Sequence, residues 1–315
     1  MRLSHPLPAP LPLQCPDCRT LLTARGRSAY QCADCGQTFH QGPEGYLNFT
    51  RCAMATTSED YALGQEACGA RVYAAFLSPY FRQTRARQVL EVGCGVGQAL
   101  QCHLDAGGDG VGVDLPDLAR HWRRLQRDPR RFAGCDATRL PFADASFDVV
   151  YALGVIEHIG TLNGHCTLAP DYEAQRQRFA NELLRVTRPG GRVIVACPNK
   201  RFPMDIQHGP SDALTPRTWS VRLRERVYAR TRINLHAPWG RSHLLSYGEC
   251  RALFLGTGLA AGFRPLPLRG YFGFEACHRG ALKALRALIQ AYVEHLPAWL
   301  RGTALNPYLL AEIRR

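Results

Sequence analysis

Four cysteines near the start of the 315-residue chain, Cys15, Cys18, Cys32 and Cys35, fall as two C-x-x-C pairs thirteen residues apart. Each pair can clasp a metal from a tight knuckle, and four thiolates complete a closed tetrahedral site of the kind zinc takes. Such a site has no open coordination position, so its metal is expected to be structural. A segment of about 35 residues has too little core to fold alone, and metal binding would supply much of its folding free energy. Gly26 marks a turn between two short strands, and no βαβ pattern surrounds the cysteines to suggest a redox pair.

A second cluster of chemistry lies further on. Val89-Leu90-Glu91-Val92 reads as a buried strand and runs into Gly93-Cys94-Gly95-Val96-Gly97, then a helical stretch from Gln98 to Leu104. A second strand, Gly110 to Val113, ends in Asp114. This is a βαβ unit with a glycine-rich turn at the carboxyl end of its first strand, where doubly wound sheets bind nucleotides. Dinucleotide sites use G-x-G-x-x-G. Here the pattern is G-x-G-x-G followed by Gln98. Asp114 is positioned to accept hydrogen bonds from ribose hydroxyls, a role common to several nucleoside cofactors.

The motifs that follow narrow the choice. Cys135-Asp136-Ala137 precedes Leu140-Pro141-Phe142, and Phe147 to Ala152 reads as strand four. Glu157-His158-Ile159 is expected to open a helix, Glu182 to Val186 to end one, Arg188 to Gly191 to turn, and Arg192 to Cys197 to form strand five. From Arg87 to Asn199 the sequence resembles the class I S-adenosylmethionine (SAM)-dependent methyltransferases, in the style of the group acting on small molecules, lipids and quinone rings. The resemblance implies an α/β, Rossmann-like doubly wound sheet with an antiparallel last strand. It implies that Glu91, Gly93, Gly95 and Gly97 line the methionine and ribose side of SAM and that Asp114 holds the ribose. Asp136 and Ala137 would border the adenine, and Leu153 or Gly154 would lie near the methyl group. Taken singly, Glu91 could bond a strand end and Asp136 could cap a turn.

Methyl transfer is an in-line displacement from a sulfonium, so positioning dominates, and a base matters only when the nucleophile must lose a proton. His158, His165, His208 and Asp205 are candidate bases, with His208 and His158 the catalytic residues expected. Some relatives bind a divalent cation through a Glu-x-x-Glu-His pattern; Gly154 stands where the first Glu would be, which counts against a metal there.

The supporting elements divide the chain into residues 1–13 as a flexible tail, 14–50 as the zinc ribbon, 51–86 as a helical connector or lid, and 87–315 as the catalytic domain. Within the connector, Tyr73, Phe76, Leu77, Tyr80 and Phe81 form an apolar stripe interrupted by Pro79. It suits either a cover over a cofactor cleft or packing on the sheet edge. An insertion at about 202–245 is expected to cover the substrate. From Lys200 to Arg241 the charge is +6, with Trp219, Tyr228 and Trp239 among the arginines, a composition suited to an acidic acceptor, a lipid phosphate or stacked bases. Ser246 to Leu255 reads as a helix, Gly262 begins strand six, Leu282 to Leu300 is an apolar helical stretch broken by Pro297, and Asn306 to Ile313 is the last strand.

Composition sets wider limits. The chain is 46% hydrophobic and 21% charged, as for an ordinary globular protein. It has no apolar run long enough for a transmembrane segment, and its start does not resemble a signal peptide, so a cytoplasmic location is expected. The net charge of +13 comes almost wholly from Arg, and the run from Arg120 to Arg131 reads as a solvated helix face. The nine other cysteines lie in apolar stretches and are expected as buried thiols.

A small-molecule, glycan or lipid acceptor is therefore expected. The Leu153-Gly154-Val155-Ile156-Glu157-His158 segment carries no Asn/Asp-Pro-Pro-Tyr/Phe signature of exocyclic-amine base methylation. The alternative is a ribosomal-RNA base methyltransferase, because Cys15 to Asn48 also resembles the zinc domain of bacterial ribosomal-RNA guanine methyltransferases, and RNA would suit the charge. A third reading is a non-catalytic SAM-binding partner module. Oligomeric state is not legible in the sequence.

Overall fold

The computed structural model describes residues 12–26, 28–50, 59–162, 167–205, 208, 219–231, 234–236, 238–271 and 280–315. The side chains of 59–63, 219–221 and 280–286 are not described. His165 and the cysteines at 52, 166 and 277 lie outside the described residues.

The ribbon is a three-stranded antiparallel sheet of β1 (Leu22–Arg25), β2 (Ala29–Cys32) and β3 (Thr38–His40). Gly26 takes φ +70° at the β1–β2 turn, a conformation that costs glycine nothing. At the start of the described residues the Ala143 amide donates to the Pro12 carbonyl at 3.2 Å, and Leu13 bridges Phe142. After β3 the chain adds β4 (Leu47–Asn48), which leaves the ribbon and pairs in parallel with the main sheet.

Next comes helix α1 (Glu59–Val72), a π-helical turn at Tyr73–Leu77, and α2 (Ser78–Thr84). Pro79 does not break this run. It cannot donate to the Ala75 carbonyl, and the wider π turn just before it absorbs the mismatch. Phe76, Leu77, Tyr80 and Phe81 are buried in the core, as a packing stripe would be.

The main sheet contains β5 (Gln88–Val92), β6 (Asp109–Asp114), β7 (Phe132–Gly134), β8 (Phe147–Leu153), β9 (Thr187–Pro198), β12 (Gly262–Pro265) and β13 (Tyr308–Arg314). Between them lie α3 (Gln98–Asp105), α4 (Ala119–Arg124), α5 (Tyr172–Val186), the small hairpin of β10 (Met204–Asp205) and β11 (Asn234–Leu235) with α6 (Trp219–Thr231), then α7 (Tyr247–Leu255) and α8 (Gly280–Glu294). Sheet order is β12-β13-β9-β8-β5-β6-β7-β4. Only β13 runs against the others, pairing antiparallel with both β9 and β12. This is the doubly wound α/β sheet with an antiparallel last strand.

Both faces of the sheet are covered, so its central strands are apolar on both sides. Along β5, Leu90 and Val92 pack with Phe179 and Leu183 of α5, while Val89 packs on the opposite face with Leu77, Phe81 and Trp122. Two expectations shift in detail. Arg188 to Gly191 loops out within β9, where Phe147 pairs with Thr187 and Val149 with Arg192. Glu157 to Ile159 forms turns rather than a helix, and α5 starts only at Tyr172. The Ser246–Glu249 capping box, with Ser246 buried and Glu249 exposed, starts α7 as the Ser-x-x-Glu spacing requires.

Of the cysteines outside the ribbon, Cys94, Cys135, Cys197 and Cys250 are buried, Cys102 is half-buried, and Cys68 is exposed. Among the described residues no helix is long and apolar enough to cross a membrane.

Candidate cofactor and acceptor sites

From β5 the chain winds outward through β6 and β7, then returns to place β8 and β9 on the other side. The switch point therefore falls between β5 and β8, and the glycine turn sits at the carboxyl end of β5, where such sheets open a ligand crevice. Gly93, Gly95 and Gly97 take φ of +75°, +53° and +73°. A Cβ at Gly93 would overlap Val155, one at Gly95 would overlap Gln65, and one at Gly97 would overlap Phe132. Backbone and space both demand glycine at these three positions.

Three side chains clamp this turn from outside. Trp122 Nε1 donates to the Gly95 carbonyl at 2.7 Å, Arg127 Nε to the Val96 carbonyl at 3.2 Å, and the Val96 amide donates to Gln65 Oε1 at 3.1 Å. Arg127 is buried and also reaches Gln98 Oε1 at 2.6 Å, so the Arg120–Arg131 run is not simply a solvated face. Gln65 brings α1 onto the turn. No motif announced Gln65 or Trp122, since neither has a fixed spacing from the glycines.

Asp114 ends β6 with Oδ2 accepting from the Gly95 amide at 2.6 Å and Oδ1 from the Leu115 amide at 2.7 Å. Burial outweighs these two amide bonds and pushes its carboxyl up to about 6. Glu91 accepts the Leu100 amide at 3.1 Å on Oε2, and burial pushes it up to about 8. Glu91 thus secures the start of α3 from beneath. Asp136 is exposed, and its Oδ1 accepts from the Thr138 amide and hydroxyl, both at 2.8 Å, as a turn cap does. Ala137 beside it is half-buried. Leu153 is the last residue of β8; Gly154 follows at φ +72°, its amide donating to the Ala196 carbonyl at 2.9 Å. The open backbone turn and the carboxylate one strand away fit a nucleoside cofactor such as SAM.

Beyond the ends of β8 and β9 lies a second polar cluster. Val155 packs on Gly93, and Glu157 follows two residues later, fully buried. His158 and His208 have ring centroids 5.3 Å apart, and His208 and His243 5.2 Å. Asp205 Oδ2 lies 2.9 Å from His208 Nδ1, and Asp205 Oδ1 accepts the His208 amide at 3.0 Å. Burial would lower the His208 pKa, but the Asp205 bond and charge outweigh it and raise it. His243, lacking so close a carboxylate, is lowered by burial to about 4. Glu157 is pushed by burial to about 7. His243 and Glu157 are additions to the two histidines expected from sequence. His243 arrives because Arg176 of α5 donates to its carbonyl at 2.5 Å, a contact 67 positions away in the chain.

The ribbon's four sulfurs lie within 4.8 Å of one another, with Cys15 Sγ 3.8 Å from Cys35 Sγ. Backbone amides of Cys35 and Asp34 lower the Cys32 thiol, the expected effect of a knuckle whose N–H groups point at sulfur.

The doubly wound sheet with its antiparallel last strand is the fold of the class I methyltransferases. Residues 90–195 match the family described as the methyltransferase domain. An uncharacterized methyltransferase of Mycolicibacterium gilvum is 36% identical over 116 residues, spanning 36% of this chain and 40% of that protein. A demethylmenaquinone methyltransferase of Renibacterium salmoninarum is 33% identical over 111 residues, spanning 35% and 40%. The chain thus spans about two fifths of the length of these relatives. Among solved structures, a chain of the complex between the Haloferax volcanii Trm112 methyltransferase activator and a methyltransferase is 16% identical, with a TM-score of 0.47, covering 81% of this chain and 94% of that one.

Proposed function

We propose that the protein transfers a methyl group from SAM to a small-molecule, glycan or lipid acceptor, with Cys15, Cys18, Cys32 and Cys35 holding a structural zinc. One observation carries the acceptor half of this reading. The cluster of Glu157, Asp205 and His243, all buried, with the half-buried His158 and His208 follows β8 and β9, next to the glycine turn, and Val155 links the two by packing on Gly93. Glu91, Gly93, Gly95, Gly97 and Asp114 would hold the methionine and ribose, Asp136 and Ala137 the adenine edge, and Leu153 the region of the methyl group. Bound SAM supplies an electrophilic methyl and its own leaving group. The protein's part is to hold the acceptor in line and exclude water. His208, oriented by Asp205, and His158 are the side chains assigned to meet the acceptor.

In this reading residues 14–50 are the ribbon, 51–86 a connector that reaches the cofactor turn through Gln65, and 87–315 the catalytic domain. The insertion at about 202–245 forms the acceptor cover. Its two ends come together where Asn199 bridges Leu245, which supports its being an insertion into the core. Asn199 is fully buried and anchors that exit by donating to the Thr303 and Asn306 carbonyls at 3.0 and 2.7 Å.

The test uses methyl-labelled SAM with a fractionated cell extract, with and without ribonuclease. Label in a nuclease-resistant, low-mass or lipid fraction is expected. Label lost on ribonuclease treatment would establish an RNA acceptor instead, and SAM binding without any labelled product would establish a non-catalytic module.

A further inference from the structure

Tyr46 belongs to the ribbon segment, yet its side chain meets the two residues that clamp the cofactor turn from outside. It is buried, its ring meets Trp122 edge-on with centroids 5.3 Å apart, and its hydroxyl donates to the Arg127 carbonyl at 2.7 Å. Trp122 in turn donates to the Gly95 carbonyl, and Arg127 Nε to the Val96 carbonyl. On the ribbon side, the Gly42 amide donates to the Tyr46 carbonyl at 2.9 Å and Gln41 bridges Leu47, so the loop carrying Tyr46 closes just after β3. β3 pairs with β2, whose last residue is the proposed zinc ligand Cys32. The clamps need support of this kind. α4 has six residues, fewer than two turns, and so short a helix has no stability of its own. Trp122 therefore takes its direction from its ring neighbours, Tyr46 and, with centroids 5.7 Å apart, Phe132.

We propose that Tyr46 is a positioning residue for SAM, transmitting the metal-held fold of the ribbon through Trp122 and Arg127 to the Gly95 and Val96 carbonyls of the cofactor turn. A turn already held in its binding conformation loses less freedom when the ligand arrives, so loosening the clamps shows in SAM affinity. The ribbon's zinc then acts on SAM without touching it. Linkage requires the reverse as well: bound SAM tightens zinc by the same factor. This coupling rests on the assignment of SAM to the glycine turn and of zinc to the four cysteines.

The experiment measures SAM affinity by calorimetry in the zinc-loaded full chain, with denaturant unfolding to follow stability separately. Tyr46→Ala should weaken SAM binding by roughly 3–30-fold, the order that one hydrogen bond and one aromatic contact can reach. Tyr46→Phe keeps the ring and loses only the hydroxyl bond, so it should recover most of that affinity and still cost roughly 2–5-fold. It tests the route even where Tyr46→Ala does not fold. Arg19→Ala, on the same ribbon but gripping Glu182 of α5 rather than the clamps, should lower stability and leave SAM affinity unchanged. Chelating the zinc should weaken SAM in the wild type about as much as Tyr46→Ala does, and add little in Tyr46→Ala itself. Competition with a chelator should show zinc held more tightly when SAM is present. Equal SAM affinity in the wild type and both Tyr46 variants would overturn the coupling, as would an Arg19→Ala loss matching that of Tyr46→Ala. Zinc removal that weakens SAM equally in both backgrounds would overturn Tyr46 as the route. A wild type that binds zinc and no SAM would overturn the cofactor reading and the coupling together; one that binds SAM and no zinc would overturn the zinc reading and its link to the turn.

Discussion

Arg19 of the ribbon grips Glu182 of α5 with two parallel bonds, Nη1 to Oε2 at 2.9 Å and Nη2 to Oε1 at 2.6 Å, across 163 positions of sequence. Glu182 is almost fully buried and also takes the Leu140 amide at 2.8 Å and two bonds from Arg185 at 2.9 Å. Bidentate pairs of this kind fix orientation as well as adding energy. Because Arg19 is 38% exposed, Arg19→Ala should cost only about 1 kcal/mol of unfolding free energy. Glu182→Ala, which leaves the buried Leu140 amide without its acceptor and takes from Arg185 the more buried of its two carboxylate partners, should cost about 3 kcal/mol. Denaturant unfolding of both variants checks the order, and equal costs would refute this division.

Zinc removal should reach beyond the ribbon. Replacing Cys15 and Cys32 by Ser should release the metal and lower the melting temperature of the whole chain, because Arg19, Leu13 and β4 all dock on the catalytic domain. SAM binding should remain measurable, since no ribbon residue touches the glycine turn among the contacts described. Metal content, thermal unfolding and SAM calorimetry together test this; a loss of SAM binding at full helical content would show that the ribbon shapes the cofactor site directly.

Asp114→Ala should weaken SAM binding by roughly 10–100-fold, the value of one or two hydrogen bonds to a charged acceptor. Unchanged affinity would refute the assignment of Asp114 to the ribose.

The same carboxylate gives opposite pH dependences for binding and stability. Its folded-state pKa of about 6 exceeds the ordinary 3.8, so the folded chain holds a proton that the unfolded chain releases within that window. This contribution to stability is present below pH 3.8 and is lost as pH rises through about 6. With Asp114 holding the ribose as proposed, the charged form is the better acceptor, so SAM affinity should fall as pH drops through about 6. Calorimetric titrations from pH 5 to 8 on wild type and Asp114→Asn check it, because the variant should lose the pH slope.

Gly95→Ala should abolish SAM binding and destabilise the chain. The substitution forces φ +53° on an L side chain and drives its Cβ into Gln65. Gly95→Ala combined with Gln65→Ala relieves the overlap alone, so partial recovery of stability in the double variant would separate crowding from backbone strain.

Much of this was legible in the sequence where chemistry and local geometry coincide. The four cysteines, the G-x-G-x-G turn and Asp114 are each read from short spacings. The strands β5, β8, β9 and β13 contain apolar stretches that mark them, and β6 is marked by its Gly-Val-Gly-Val run ending in Asp114. By contrast β7 and β4 have three and two residues, too few for any periodicity. The stretch Glu157 to Ile159 looked helical by composition, but Gly154 at φ +72° and Gly160 at +75° bracket it with turns. His208 follows strand five in the sequence, where its place is legible, whereas His243 and Gln65 enter through tertiary contacts that no local pattern encodes.

The parallel pairing of Leu47 with Ala133 and Asn48 with Gly134 has a consequence for solubility. A bare outer strand presents a row of unpaired amides and carbonyls that another chain can continue. Here that row is taken by two residues delivered from the ribbon, and the Phe49 amide extends the seal by donating to Gly134 at 2.7 Å. A chain stripped of its cysteine module would expose β7 as a template for intermolecular strand addition, and should therefore aggregate more readily than the full chain.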